Sequence, residues 1–409
     1  MDLILRNARL PGGPGRLVDI GVAAGKIAAI ETGLSAEAET LDVAGRLVSP
    51  GFVETHLHLD KSCILDRCAA VEGDLDEAIQ QVAAAKASFT PEDIYRRARR
   101  TLERCILNGT THIRTHLEVD PGIGLKGFEG VLPLVAEYAW AVDLEICIFP
   151  QEGLLNNLGT EDLMLEALRR GGACIGACPY TDSDPHGQID RIFALARERD
   201  LDIDMHLDFS LDPADMDLLH VCRRTEDFDY GGRVAIGHVT KMSALDAETF
   251  TATAKRLSSA GVALTVLPST DLYLMGRAHQ MNVPRGVTPA HRLLRHGVNC
   301  SLATNNVLNP FTPFGDCSLL RMANLYANVA QTGTSHDVSE CFNLVTSRAA
   351  ALMNLRGYGL SIGNDADLVV LDCESEHAAV RELAPVLYVF KRGRRTVTRE
   401  PAVLHRPGT

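Results

Sequence analysis

The chain has 409 residues, of which 46% are hydrophobic, and its formal net charge is −13. A chain of this length and composition can bury one large α/β core with a smaller unit beside it. The strong negative charge disfavours nucleic acid or an anionic membrane as a partner, and it favours a small neutral or cationic substrate.

Eleven cysteines lie mostly in apolar segments and show no paired Cys-x-x-Cys spacing. We interpret them as reduced core thiols. The first residues lack the apolar block of a signal peptide, and no apolar run reaches the length that spans a bilayer. These features predict a cytoplasmic protein with no membrane partner.

In chain order, residues 2–46 carry short β-like runs separated by glycine turns, and residues 366–398 carry similar runs. Neither piece is long enough to form a sheet domain alone. We therefore expect residues 1–47 and 347–409 to pair into one composite β-sandwich beside the rest of the chain.

Between these termini, short apolar runs alternate with amphipathic stretches, which is typical of repeated βα units. The predicted strands are 48–58, 111–119, 144–151, 173–180, 201–209, 233–239, 263–269 and 298–304. The predicted helices include 91–107, 161–170, 189–199 and 245–260. Eight such units over residues 48–346 predict an α/β fold of the (β/α)8 TIM barrel type, with a doubly wound open sheet as the rival.

Four histidines stand at the ends of predicted strands, where a barrel of this kind gathers its functional residues. His56 and His58 alternate on one strand and therefore share a face, while His206 and His238 close two later strands. The polar character of loops explains Asp and Asn residues at strand ends, but it does not explain histidines at three of them.

Neutral imidazole binds borderline metals such as zinc and ferrous iron. His56, His58 and His206 supply three ligands and leave a position open for water, which distinguishes a catalytic metal site from a structural one. A bridging second metal needs an acidic or modified ligand, and the predicted strand 173–180 contains no Lys or Glu. We therefore predict a hydrolase with one divalent ion, zinc or iron first and manganese as a further option.

Five segments in unbroken order resemble the cytosine deaminase branch of the amidohydrolase superfamily. They are GFVETHLHLDK (51–61), FPQEG (149–153), GHVTKM (237–242), LMGR (274–277) and NPFTPFG (309–315). The resemblance covers nearly the whole chain and implies that His56, His58 and His206 bind the metal. It also implies that His238 contacts the reacting water and the tetrahedral centre, and that Gln151 hydrogen-bonds the substrate ring.

Two positions depart from that family's pattern. Cytosine deaminases carry a proton-shuttling glutamate three residues after the strand-five histidine and a metal-binding aspartate at the end of strand eight, whereas this chain has Phe209 and Asn305. The amide of Asn305 can offer its oxygen to a metal or substrate but cannot accept a proton from water. Strand alternation predicts that Asp208 points into the same cavity as His206, so we expect Asp208 or His238 to replace the missing base.

Lys61 is either an ordinary salt-bridging lysine or a group that orders the reacting water or a substrate oxygen. The sequence His-x-Asp-Lys also occurs in a related branch that hydrolyses N-alkylamino triazines, so the resemblance indicates amino-substituted nitrogen heterocycles as a class. We predict hydrolytic deamination of such a small molecule by metal-activated water. Hydrolysis of a cyclic or linear amide, or of an N-alkylamine, is the alternative, and a non-catalytic ligand-binding relative is the second alternative.

Other signals carry less information. Residues 122–127 have the dinucleotide-binding glycine spacing, but the charges of Glu118 and Asp120 would repel a pyrophosphate, so we expect a loop over the barrel mouth. The sequence has no serine-hydrolase elbow, P-loop or zincin motif. The apolar stripe in residues 319–329 is expected to pack on the barrel, or else to contact a second copy in a homo-oligomer.

Overall fold

The computed structural model describes residues 1–13, 15–68 and 71–405. The strands are β1 (Leu3–Ala8), β2 (Val18–Ala23), β3 (Lys26–Glu31), β4 (Glu39–Asp42), β5 (Leu47–Pro50), β6 (Phe52–Leu57), β7 (Thr110–Glu118), β8 (Asp143–Phe149), β9 (Cys174–Ile175), β10 (Asp202–Leu207), β11 (Val234–His238), β12 (Val262–Val266), β13 (Cys300–Leu302), β14 (Leu368–Leu371), β15 (Val386–Lys391) and β16 (Arg394–Thr398). The α-helices are α1 (Leu75–Lys86), α2 (Pro91–Leu107), α3 (Lys126–Glu137), α4 (Thr160–Arg170), α5 (Pro185–Arg199), α6 (Leu218–Asp227), α7 (Ala247–Ala260), α8 (Pro268–Leu274), α9 (Ala290–Leu294), α10 (Leu319–Ala330), α11 (Ser335–Asn343), α12 (Ser347–Leu352) and α13 (Glu376–Glu382).

Strands β6 to β13 form one sheet of eight parallel strands in sequential order. A parallel bridge between Leu57 and Asn305 joins the first strand to the end of the last. The backbone of Asn305 donates to the carbonyl of His56 (2.8 Å) and accepts from the N–H of His58 (2.9 Å). The sheet therefore closes on itself, which confirms the predicted (β/α)8 barrel over the open doubly wound sheet.

The predicted strand 48–58 is two strands that serve two different sheets. Strand β5 pairs with β14 near the chain termini, whereas β6 pairs with β7 in the barrel. The chain changes sheets at Gly51, where a Cβ atom would lie 2.2 Å from the Oγ1 atom of Thr111. Only glycine permits this close approach.

Two other strands are shorter than their apolar runs predict. Pairing in the run 173–180 is limited to Cys174–Ile175, and a 3-10 turn follows at Pro179–Thr181. The run 263–269 leaves the sheet after Val266 because Pro268 begins α8. Proline suits the first turn of a helix, where no backbone N–H is needed.

The two ends of the chain form two four-stranded sheets, with strand orders β3-β2-β1-β4 and β16-β15-β14-β5. The sheets share an apolar core that includes Leu5 and Ile20 from the first and Val370 and Phe390 from the second. Strand β5 runs to Pro50, past the boundary predicted at residue 47.

Helix α1 lies over the barrel mouth, and the side chains of Leu75 and Ile79 reach the cavity beneath it. Its N-cap Asp74 accepts from the N–H of Glu77. Across residues 1–13, 15–68 and 71–405, no helix combines the length and hydropathy required to cross a membrane.

Candidate active site

A narrow cavity lies at the carboxyl ends of the barrel strands, beneath α1. The space that a water-sized sphere can occupy in it is ≈ 20 Å³, room for about one water molecule, so the lining side chains nearly fill the cavity. The lining consists of imidazole, amide, hydroxyl and apolar groups around one ammonium group: His58, Lys61, Leu75, Ile79, Gln151, Tyr180, His206, Phe209, His238, Thr270, Asn305, Asn306 and Phe311. None of these described lining residues is a carboxylate.

Three imidazoles converge at the floor of this cavity. The Nε2 atoms of His56 and His58 each lie 3.0 Å from the Nε2 atom of His206. His58 donates its Nδ1–H to the backbone carbonyl of His116 at 3.0 Å, which leaves the Nε2 lone pair free. The structure thus brings together the three residues that the sequence predicts as metal ligands.

The protonation state of these rings suits a cation. Burial first, and neighbouring rings and Lys61 second, hold the pKa of His56, His58 and His206 well below the ordinary value. Neutral imidazole is the form that binds metal ions. The three residues therefore fit a divalent metal in both geometry and charge.

Beneath the three imidazoles lies a layer of groups that the sequence reasoning did not assign. The ring of His116 stacks on that of His56, with centroids 3.8 Å apart. The carboxylate of Asp204 lies 3.5 Å from Nε2 of His116 and pairs with Arg114 at 2.9 Å. Asp204 precedes His206 by two residues on β10, so strand alternation was a signal that could have found it.

Asn305 lines the cavity, and both polar atoms of its amide are buried and without a hydrogen-bond partner among the described residues. A buried amide without a hydrogen-bond partner lowers the free energy of unfolding, because its lost hydration is not compensated. This side chain therefore has two unused hydrogen-bonding atoms for a ligand in the cavity.

A buried charge network surrounds one side of the cavity. The carboxylate of Glu118 lies between the ammonium groups of Lys61 and Lys86, and Lys86 also reaches Glu152 at 2.9 Å. Burial would raise the pKa of Glu118, but the two ammonium groups outweigh it and hold the pKa at about 2. Lys61 is therefore a buried ion-paired lysine that also lines the cavity.

Gln151 follows β8 and is held in place from two directions. Its Oε1 atom accepts from Nζ of Lys61 at 3.4 Å, and its Nε2 atom lies 3.3 Å from the Sγ atom of Cys178. Nζ of Lys61 also lies 4.5 Å from the ring centroid of Phe311. Gln151 and Lys61 thus face the same space as the three imidazoles.

The predicted orientation of Asp208 is wrong. Strand β10 ends at Leu207, and Asp208 has a left-handed backbone (φ 49°) that breaks the alternation of side chains. Its carboxylate accepts from the N–H groups of Asp217 (2.9 Å) and Leu218 (3.1 Å) at the start of α6, away from the cavity. Phe209 lines the cavity instead, and burial raises the pKa of Asp208 to about 6.

The variant Asp208→Asn is expected to lose about 1 kcal/mol of unfolding free energy, because the amide keeps only one of the two acceptor oxygens. Urea denaturation at pH 7 measures this change. Asp246→Asn, at the exposed N-cap of α7, is the matched control. If Asp208→Asn loses most of its turnover under conditions where the variant is still folded, that result would contradict this structural assignment.

His238 ends β11 and has a carboxylate partner that the sequence reasoning left without a function. Its Nδ1 atom lies 2.6 Å from Oδ1 of Asp271, which is fully buried on α8. Burial raises the pKa of Asp271, and the contact with His238 opposes this rise. The ring of His238 also packs on Phe209, with centroids 4.1 Å apart.

The fold and this site define a closed (β/α)8 barrel with a histidine cluster at the face where such barrels carry their active sites. The chain belongs to the amidohydrolase family, whose sequence pattern matches residues 39–132 and 153–397.

Individual proteins agree with this assignment. The chain is 28% identical to N-isopropylammelide isopropyl amidohydrolase of Pseudomonas sp. (strain ADP), over 98% of each chain. It is 28% identical to pterin deaminase of Rhizobium rhizogenes, over 86% of this chain and 81% of the relative. Its structure is similar to that of 5-methylcytosine deaminase from Klebsiella pneumoniae liganded with 5-fluorocytosine, with a TM-score of 0.94, 29% identity and coverage of 99% and 100%. These similarities confirm the family resemblance predicted from the sequence.

Proposed function

We propose that this chain is a metal-dependent amidohydrolase that hydrolyses the bond between a ring carbon and an amino substituent of a small nitrogen heterocycle. The observation that carries the proposal is the convergence of three neutral imidazole Nε2 atoms at the floor of a small cavity. The similar proteins support the substrate class, since they are named for N-isopropylammelide, pterin and 5-methylcytosine.

His56, His58 and His206 would hold one divalent ion. When bound, such an ion supplies a Lewis acid and lowers the pKa of water at its open position to near neutrality. One ion is favoured over two because the buried carboxylate of Asp204, which lies 4.0 Å from Nδ1 of His56, already pairs with Arg114. The guanidinium charge opposes a second cation at that place.

The other lining residues bind and orient the substrate. Gln151 and Lys61 present donors on one side of the cavity, and the amide of Asn305 presents a donor and an acceptor on another. His238 lies where it can take a proton from the attacking water. The apolar side chains of Ile79 and Phe209 exclude bulk water from these groups.

One observation supports a second candidate reaction, at a ring carbon that carries an N-alkylamino substituent. Phe209, Phe311, Leu75 and Ile79 give the cavity an apolar wall without a carboxylate. Such a wall suits an alkyl group better than a charged or strongly polar one. Release of a small alkylamine is therefore the second candidate reaction.

The purified chain, loaded in turn with zinc, ferrous iron and manganese, is expected to release ammonia or an alkylamine from at least one compound of a defined panel. The panel comprises cytosine, 5-methylcytosine, isocytosine, creatinine, melamine-type aminotriazines and N-isopropylammelide. Mass analysis of the products separates loss of an amine from opening of a ring amide. Binding of a panel compound by the metal-loaded chain without release of any product would contradict the proposal and indicate a non-catalytic ligand-binding relative.

A further inference from the structure

We infer that Asp271 is a positioning residue that makes His238 the proton carrier of this site. Cytosine deaminases have carboxylates for this purpose at the positions where this chain has Phe209 and Asn305. The inference rests on the proposed function, and it assigns a function to a buried carboxylate that the sequence reasoning left unused.

Few groups in the cavity can accept a proton. No carboxylate is present among the described lining residues. Lys61 is an ammonium ion paired with Glu118, and the Nε2 atoms of His58 and His206 face one another at the metal position. His238 is therefore the lining side chain with an available basic nitrogen.

The hydrogen bond to Asp271 decides which nitrogen of His238 carries hydrogen. A carboxylate can only accept a hydrogen bond, so the 2.6 Å contact with Asp271 places the hydrogen on Nδ1. The lone pair is then on Nε2, the nitrogen that can take a proton from water. Asp271 thereby selects the useful tautomer and stabilises the imidazolium that forms.

Asp271 itself is held in one orientation. Its Oδ2 atom accepts from the backbone N–H of Leu267 at 3.2 Å, while Oδ1 faces His238. On the other side, the ring of His238 packs on Phe209, and its backbone carbonyl accepts from the hydroxyl of Thr288 at 3.0 Å. The pair is fixed from both ends, so it needs no rearrangement to act.

The proton transfers balance without any further reactant. Nε2 of His238 takes one proton from the attacking water as the new oxygen–carbon bond forms. Nδ1–H stays hydrogen-bonded to the Asp271 carboxylate throughout. Nε2 then gives the proton to the leaving nitrogen as the carbon–nitrogen bond breaks, so one water is consumed, one amine is released, and the imidazole returns to its neutral state.

The variant Asp271→Asn tests this inference. The N–H of Leu267 is expected to hold the amide oxygen, which turns the amide NH2 towards Nδ1 of His238. An NH2 donor there forces the hydrogen of His238 onto Nε2, the wrong tautomer. Nitrogen-15 NMR of the metal-free full-length chain measures the tautomer directly, and the expected result is a change from Nδ1–H to Nε2–H.

Kinetics on the panel compound with the highest turnover give the second readout. We expect kcat to fall by about 10⁴-fold in Asp271→Asn with KM changed less than about tenfold, as for other His–carboxylate pairs. Asp271→Glu should restore part of kcat, and Asp246→Asn on the exposed cap of α7 is the matched control. An unchanged tautomer, or a kcat within about threefold of the parent chain, would overturn the inference. Absence of turnover in the metal-loaded parent chain would instead overturn the proposed function, and the NMR measurement would still report on the pair.

Discussion

Replacing His206 by Asn is expected to lower the bound divalent metal from about one ion per chain to near zero, because a site of three protein ligands loses its central donor. The Nε2 atom of His206 lies 3.0 Å from each of the other two Nε2 atoms, so it is the donor that links them in the site. Elemental analysis after zinc loading and gel filtration measures the change, and turnover of every panel compound should be lost with it.

The same experiment has a readout that does not depend on activity. Saturating zinc should stabilise the parent chain by about 4 kcal/mol at a metal concentration 1,000 times the dissociation constant, and should leave His206→Asn unaffected. His336→Asn, on the exposed surface of α11, is the matched control and should retain both the ion and the stabilisation. A His206→Asn protein that retains a full equivalent of zinc would contradict the assignment of this ligand.

Replacing Glu118 by Gln is expected to lower the free energy of unfolding at pH 7 by about 3–5 kcal/mol, because it leaves two buried ammonium groups without their shared counter-charge. The side chains of Glu118, Lys61 and Lys86 are 2%, 3% and 7% exposed, so water cannot replace the lost interaction. Lys86 keeps the carboxylates of Glu152 and Asp120. Lys61 keeps the amide oxygen of Gln151 and the ring of Phe311 but no carboxylate partner among the described residues. The largest local effect should therefore fall on Lys61 and the cavity wall.

The pH dependence of the unfolding free energy shows whether the charged form of Glu118 stabilises the fold. The pKa of Glu118 is held at about 2, below the ordinary value of 4.5. The carboxylate therefore contributes its full stabilisation above pH 4.5 and loses it as the pH falls towards 2. Glu118→Gln should remove this part of the acid transition, as measured by urea denaturation across that range. Glu166→Gln, which removes an exposed pair with Arg169, should change stability by less than about 1 kcal/mol, and an equal effect of the two variants would contradict the account.

The barrel and several helices could be predicted because their signals are local. Helix α2 has the predicted bounds, since Thr90 caps its first turn, Pro91 suits its first position and Asn108 ends it. The strand at 173–180 was predicted too long, because a run of apolar residues indicates that the segment is buried but does not indicate that its backbone pairs with another strand. Only Cys174–Ile175 pairs with both neighbouring strands there.

In the site, the sequence predicted the histidines but not their surroundings. Strand ends of one barrel face meet by topology, so His56, His58 and His206 could be expected to lie together. The orientation of Asp208 depends on one left-handed residue after the strand, which alternation cannot foresee. Asp271 lies 33 positions from His238 in the sequence, and the two side chains meet because α8 brings Asp271 next to the end of β11. No local sequence pattern therefore marks the pair.

Anomalous diffraction from crystals of the zinc-loaded chain, measured on both sides of the zinc absorption edge, tests the central claim most directly. The account predicts one strong peak per chain, bounded by the Nε2 atoms of His56, His58 and His206. A map without a peak there, or with its only peak at the separate cluster of His112, Asp143 and Asp367, would contradict it.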